Sequence, residues 1–256
     1  MKQIAKCVLW VLLNFVMQFI VQLGMTICAV AGGIRDDALL NEWTMNNVLL
    51  MTLISNTIFT GIMCIAFAVK KTKVIPESDS TAGIKSCLLP CAAAFLYSVG
   101  FSMLSEGNSG MIQNSVGYFS EKLPWLGMVM MVINLLILAP IAEELLCRRI
   151  MLDGLKQRFS ERTSVIVSAV IFGAMHIMAG GPALALGAAV MGLLLGVVYV
   201  KTGSLRATVI VHAAANLPDF LLMWLPELGT VSSAAIAVVA LAAALAIMLI
   251  WCRTKK

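Results

Sequence analysis

Long, continuous apolar runs separated by short polar stretches organise this chain. Eight are visible, at about 4–32, 47–69, 85–104, 124–143, 163–179, 183–200, 206–225 and 231–252. Each is close to the roughly 20 apolar residues that a helix needs to cross a bilayer, and none alternates as a barrel strand does. Only helices and closed barrels satisfy the backbone in lipid. The pattern therefore predicts an all-α polytopic membrane protein, with about eight transmembrane helices in one bundle. Composition agrees, since 61% of the 256 residues are hydrophobic and only 12% are charged. The first run is too long for a signal-peptide core and has no small-residue cleavage site directly behind it, so it reads as a retained span.

Charge orients the bundle. All 18 basic residues except Arg35 and Lys122 fall at the N-terminus, in alternate loops, or at the C-terminus. The other loops carry Asp36, Asp37, Glu42, Glu106, Glu121, Asp219 and Glu227. The positive-inside rule then places both termini in the cytoplasm, and an even number of spans agrees. The expected setting is an integral membrane protein of a bacterial cell membrane. The net charge of +5 is a topology signal rather than a nucleic-acid footprint. Seven cysteines, an odd number lying mostly within spans, do not form a disulfide framework. Cys87 and Cys91 share a helix face, but two thiols make a poor metal site, and buried Cys behaves as a small hydrophobe.

Residues 1–256 read as a single membrane domain. The runs within 1–105 hold little intramembrane polarity beyond Asn14, Gln18, Gln22 and Asn56, and look accessory. Those within 124–225 hold nearly every ionisable group at membrane depth and look like the functional core. The last run reads as a packing helix. Segment 144–162 is too charged to span and suggests an amphipathic helix at the cytoplasmic interface. Gly192 and Gly196 form a G-x-x-x-G, read as close packing within the bundle.

Three short motifs carry the candidate chemistry. Ionisable groups at membrane depth are costly, so they usually face a bundle interior and mark chemistry or an ion pathway. In Glu143-Glu144-Leu145-Leu146-Cys147-Arg148, Glu144 and Arg148 sit at i, i+4 in the order favoured for an ion pair. Glu143 is left without a local partner, and Pro140 disrupts the helical ladder just upstream. A carboxylate at the edge of lipid is a candidate general base. Phe172 and His176 share a face one turn apart. His212 and Asn216 do the same, separated by three alanines, and an amide can hold a water, a carbonyl or an imidazole tautomer. Each motif has a plain alternative: solvated acids at a helix end, or core histidines hydrogen-bonded to backbone. The two histidines are the only ones in the chain, and their placement on nearby runs favours a shared site.

The order EExxxR, FxxxH, HxxxN resembles the CAAX-protease and bacteriocin-processing (CPBP, Abi) family of intramembrane endopeptidases, over roughly residues 124–225. The resemblance implies an eight-helix bundle with a site open to the cytoplasm. It makes Glu143 the acid that activates water with His176. His212 and Asn216 become the oxyanion-stabilising pair, with Glu144, Arg148 and Phe172 in support. It implies no cofactor: His176, His212 and Glu143 would be a plausible His₂Glu zinc set, but no HExxH is present and the family is glutamate-dependent. The expected partners are a peptide or membrane-protein substrate and the lipid bilayer, with no nucleic acid.

One expectation strains the reading. His176 lies 13 residues beyond Thr163, about 20 Å along a straight helix, deeper than Glu143 and His212 on these boundaries. The fifth span must start earlier, the helices must tilt, or a cavity must reach deep. Other readings are weaker. Gly107-Asn108-Ser109-Gly110 resembles the G-x-S-G of rhomboid proteases but reads as a turn in an outer loop. No GxGD appears. A proton-coupled transporter would distribute polarity over two halves, and a non-catalytic immunity or partner-binding protein would not need every motif residue.

Overall fold

Helix ends fall where the sequence supplies the groups that a helix end requires. Asp36 caps α2 (Asp37–Val69), its carboxylate accepting from the backbone N–H of Ala38 and Leu39. Ser160 caps α5 (Glu161–Met175) by accepting from Thr163 N–H. Gly203 closes α6 (Ile177–Thr202) at φ 63°, a left-handed conformation that glycine adopts without a Cβ clash. The structure, a computed structural model, describes residues 2–70, 87–105, 124–222 and 230–254. The remaining helices are α1 (Lys2–Ala31), α3 (Leu88–Leu104), α4 (Trp125–Leu155), α7 (Leu205–Leu222) and α8 (Thr230–Arg253). The regular structure of the described residues is entirely helical. The GNSG segment falls outside them.

The eight apolar runs correspond one to one with these helices, but five are long and apolar enough to cross a membrane: α1, α2, α4, α6 and α8. α3 is apolar but has 17 residues, and α5 has 15. α7 carries Arg206, His212, Asn216 and Asp219, which lower its hydropathy. Eight crossings are therefore not carried by length and composition alone.

Segment 144–162 is not a separate surface helix. Residues up to Leu155 continue α4, and Leu145, Leu146, Cys147, Met151 and Leu152 are buried. The charge that argued for the interface, Arg148, is itself buried against Glu144. This continuation also removes the depth conflict. Glu143 lies 12 residues before the end of α4 and His176 lies 15 residues after the start of α5. At 1.5 Å per residue these are about 18 and 22 Å from the connecting turn, so the antiparallel pair brings both to one level.

Two apolar clusters hold the bundle. One joins α1, α2, α4 and α5 through Cys7, Phe59, Met63, Leu146, Met151, Leu152 and Phe172. The other joins α3, α6, α7 and α8 through Ala94, Leu195, Val198, Val211 and Trp251. α5 and α6 approach closely because their facing residues are small. A Cβ on Gly192 would stand 3.0 Å from the Ala169 backbone, one on Gly196 2.9 Å from Val165, and one on Gly173 2.4 Å from the Ala185 carbonyl. The G-x-x-x-G thus packs inside the bundle. The α8 run also packs as expected, with Leu241 against Gly100 of α3. α1 turns Leu9, Leu12, Phe19 and Ile27 outward, a surface suited to lipid tails.

Candidate active site

α4 is not a regular α-helix where it matters. Two π-helical segments, Asn134–Leu138 and Leu145–Leu152, bracket the short α-helical turn Ala139–Glu144 that holds both acids. Such segments occur often at functional sites. The first is pinned from α2: Asn56 Nδ2 donates to Asn134 Oδ1 at 3.0 Å, and Asn134 Nδ2 donates to Thr52 Oγ1 at 2.9 Å. α2 therefore helps to hold the helix that carries the acids.

α5 faces α4 with residues at a four-residue spacing. Ser164, Ser168 and Phe172 are buried, and His176 is half-buried at the helix end. Ser168 donates to the Cys147 carbonyl at 2.9 Å and accepts from Arg148 Nη1 at 3.4 Å. The Phe172 ring lies under the Arg148 guanidinium at 5.4 Å, and its centroid is 4.7 Å from His176 and 5.7 Å from His212. Phe172 is thus the apolar wall that three charged or titratable groups share.

His212, nearly buried on α7, stands between the two adjacent carboxylates. Its Nδ1 lies 2.9 Å from Glu144 Oε1, and its Nε2 lies 3.7 Å from Glu143 Oε2. Because the carboxylate only accepts, Nδ1–H is the donor. Glu144 Oε2 is in turn 2.9 Å from Arg148 Nε, with both side chains 0% exposed. The two are close as charges, although the N–H is not aimed along the contact. A buried carboxylate needs such compensation, since leaving it unpaired costs several kcal/mol.

His176 is fixed in the same way. Its Nδ1 donates to the Phe172 carbonyl at 2.8 Å, leaving Nε2 turned toward Glu143 Oε2 at 3.8 Å. Both Nε2 atoms thus converge on one carboxylate oxygen, at distances too long for a direct hydrogen bond. That oxygen is buried and has no hydrogen-bond partner, while the Glu143 side chain as a whole is 22% exposed. An acceptor held free beside two imidazoles is suited to taking a proton from a bound water.

Asn216 lies one turn beyond His212 on α7, but its Nδ2 donates to the Leu135 carbonyl of α4 at 2.8 Å. Glu143, Glu144, Arg148, Phe172, His176 and His212 therefore form one connected cluster, and Asn216 ties its edge to α4. Among the described residues there is no group of three or more His, Cys, Asp or Glu arranged to hold a metal ion. Sequence reasoning missed Asn134 and Ser168. The spacing Ser164-Ser168-Phe172-His176 could have exposed the second; the first depends on a contact with α2 that no local pattern encodes.

No curated protein and no solved structure matches the chain. Residues 124–218 match a family model described as type II CAAX prenyl endopeptidase Rce1-like. That stretch contains every residue of the cluster, so the resemblance to the CAAX-protease family holds over α4, α5, α6 and most of α7.

Proposed function

We propose that this protein is an intramembrane endopeptidase that hydrolyses a peptide bond of a membrane-associated or precursor peptide by glutamate-activated water. The observation that carries the reading is the convergence of His176 Nε2 and His212 Nε2 on the partnerless Glu143 Oε2. The 3.8 Å separation of Glu143 Oε2 and His176 Nε2 lets one water lie about 2.8 Å from each, off the line that joins them. It donates one hydrogen to each acceptor and keeps a lone pair for attack. Glu143 takes its proton as the oxygen bonds to the scissile carbonyl carbon.

Charge then develops on the carbonyl oxygen. His212 meets it as an imidazolium whose Nδ1–H stays on Glu144 and whose Nε2–H is presented to the oxyanion. The second hydrogen of Asn216 Nδ2 is the companion donor. With Glu143 and Glu144 ionised, Arg148 and the imidazolium balance the cluster. When the tetrahedral intermediate collapses, the C–N bond breaks and Glu143 returns its proton to the leaving nitrogen. The products are a carboxyl terminus and an amine. Glu144, Arg148 and Phe172 touch no reacting atom and hold the histidines in place.

The matched family is described as a CAAX prenyl endopeptidase, which makes prenylated C-terminal peptides the first substrates to try, with unprenylated precursor peptides beside them. The test is incubation of the purified protein in detergent with such peptides, with the products identified by mass spectrometry. A new internal carboxyl terminus, formed at the same rate in the presence of a chelator, is the expected result. Intact peptides throughout would oppose an endopeptidase. Cleavage lost to chelation and restored by zinc would recast the same three residues as metal ligands.

A further inference from the structure

The bond from Asn216 to α4 has a cause in the sequence of α4. In the first π-helical segment, Ala139 N–H is given to the Asn134 carbonyl, five residues back. The next donor in that register would be residue 140, reaching the Leu135 carbonyl. Residue 140 is Pro, which has no N–H. Leu135 thus lacks its helical donor, and an unsatisfied carbonyl inside a bundle is costly. Asn216 Nδ2 supplies the missing hydrogen at 2.8 Å. A carbonyl oxygen can only accept, so it selects the nitrogen end of the amide and fixes its rotation.

We infer that Pro140 is a positioning residue for Asn216: by withholding an N–H from Leu135, it creates the acceptor that orients the Asn216 amide. The same bond locks α7, which carries His212, to α4, which carries Glu143. The effect on turnover rests on the endopeptidase reading above, while the link between Pro140, Leu135 and Asn216 does not.

The test is a double-mutant cycle on the full chain in detergent: wild type, Pro140→Ala, Asn216→Ala and the double variant. Each is measured by thermal unfolding and by peptide cleavage. With Pro140 present, Asn216→Ala strands the Leu135 carbonyl and lowers Tm by about 2–4 °C. With alanine at 140 a backbone N–H is available, and the same change lowers Tm by less than half as much. Pro140→Ala lowers kcat by about 10- to 100-fold with KM unchanged, and adds no further loss to Asn216→Ala. Equal Tm losses in both backgrounds would overturn the link. A wild-type kcat in Pro140→Ala, or losses that simply multiply, would overturn the positioning role. If the wild type cleaves no peptide, the endopeptidase reading falls, and the thermal cycle still decides whether the link exists.

Discussion

The imidazole of His212 is held through Nδ1 by Glu144 at 2.9 Å, a carboxylate that is itself sealed from solvent with Arg148. This one contact makes the neighbouring glutamates unequal. Glu144 is committed to a charge pair and a histidine. Glu143, one residue earlier, keeps a free oxygen beside both imidazoles. Two identical side chains thus stand in different surroundings.

Removing Arg148 should expose the cost of that arrangement. Arg148→Ala leaves Glu144 buried without its guanidinium and removes the cation over Phe172. Breaking one side of a buried pair typically costs about 3–5 kcal/mol. Thermal unfolding in detergent should show a large loss of Tm, with cleavage falling in parallel. A Tm equal to wild type would mean that the pair does not hold the site.

The hydrogen-bond partners of both histidines place a proton on Nδ1 of each ring. Nitrogen-15 NMR of histidine-labelled protein should show both rings carrying a proton on Nδ1, with the His212 signal altered by Glu144→Gln and the His176 signal unaffected. A ring lacking the Nδ1 proton would contradict the assignment of Nε2 as the atom facing Glu143.

Close packing of α5 on α6 places Gly173 where a methyl group has no room, three residues before His176. Gly173→Ala should destabilise by about 1–3 kcal/mol through overpacking and lower kcat by shifting His176. Gly24→Ala, where a Cβ meets nothing within 4 Å, should leave unfolding and cleavage close to wild type. Equal behaviour of the two variants would refute the packing argument.

How much of this was legible beforehand differs by element. Helical spacing was enough to pair Glu144 with Arg148 and Phe172 with His176, because i, i+4 neighbours meet whatever the rest of the chain does. Apolar runs located all eight helices. Their ends were harder to read. α4 appeared to stop at Glu143 because the following residues are charged, yet Arg148 is neutralised by a partner four residues away and the helix continues to Leu155. The first π-helical segment was also hidden: it is pinned by Asn56 and Thr52 reaching over from α2. Asn216 was legible as a site neighbour, but its partner is a backbone carbonyl, which no side-chain motif announces.

Orientation rests on the distribution of Lys and Arg. Cysteines introduced at Asn108 and Ser78, which lie outside the described residues, give the check. A membrane-impermeant reagent added from outside should label position 108 and spare position 78. The reverse pattern would place the candidate site on the opposite face of the membrane.

Glu143 as the general base is open to a simple substitution. Its most direct measurement is the turnover of a cleaved membrane-associated peptide by Glu143→Gln beside wild type, with Tm and KM recorded on the same preparations. The kcat of Glu143→Gln should fall by about 10²–10⁴-fold, with Tm and KM little changed, since the amide keeps the shape and removes only the proton acceptor. A variant that cleaves at the wild-type rate would contradict it.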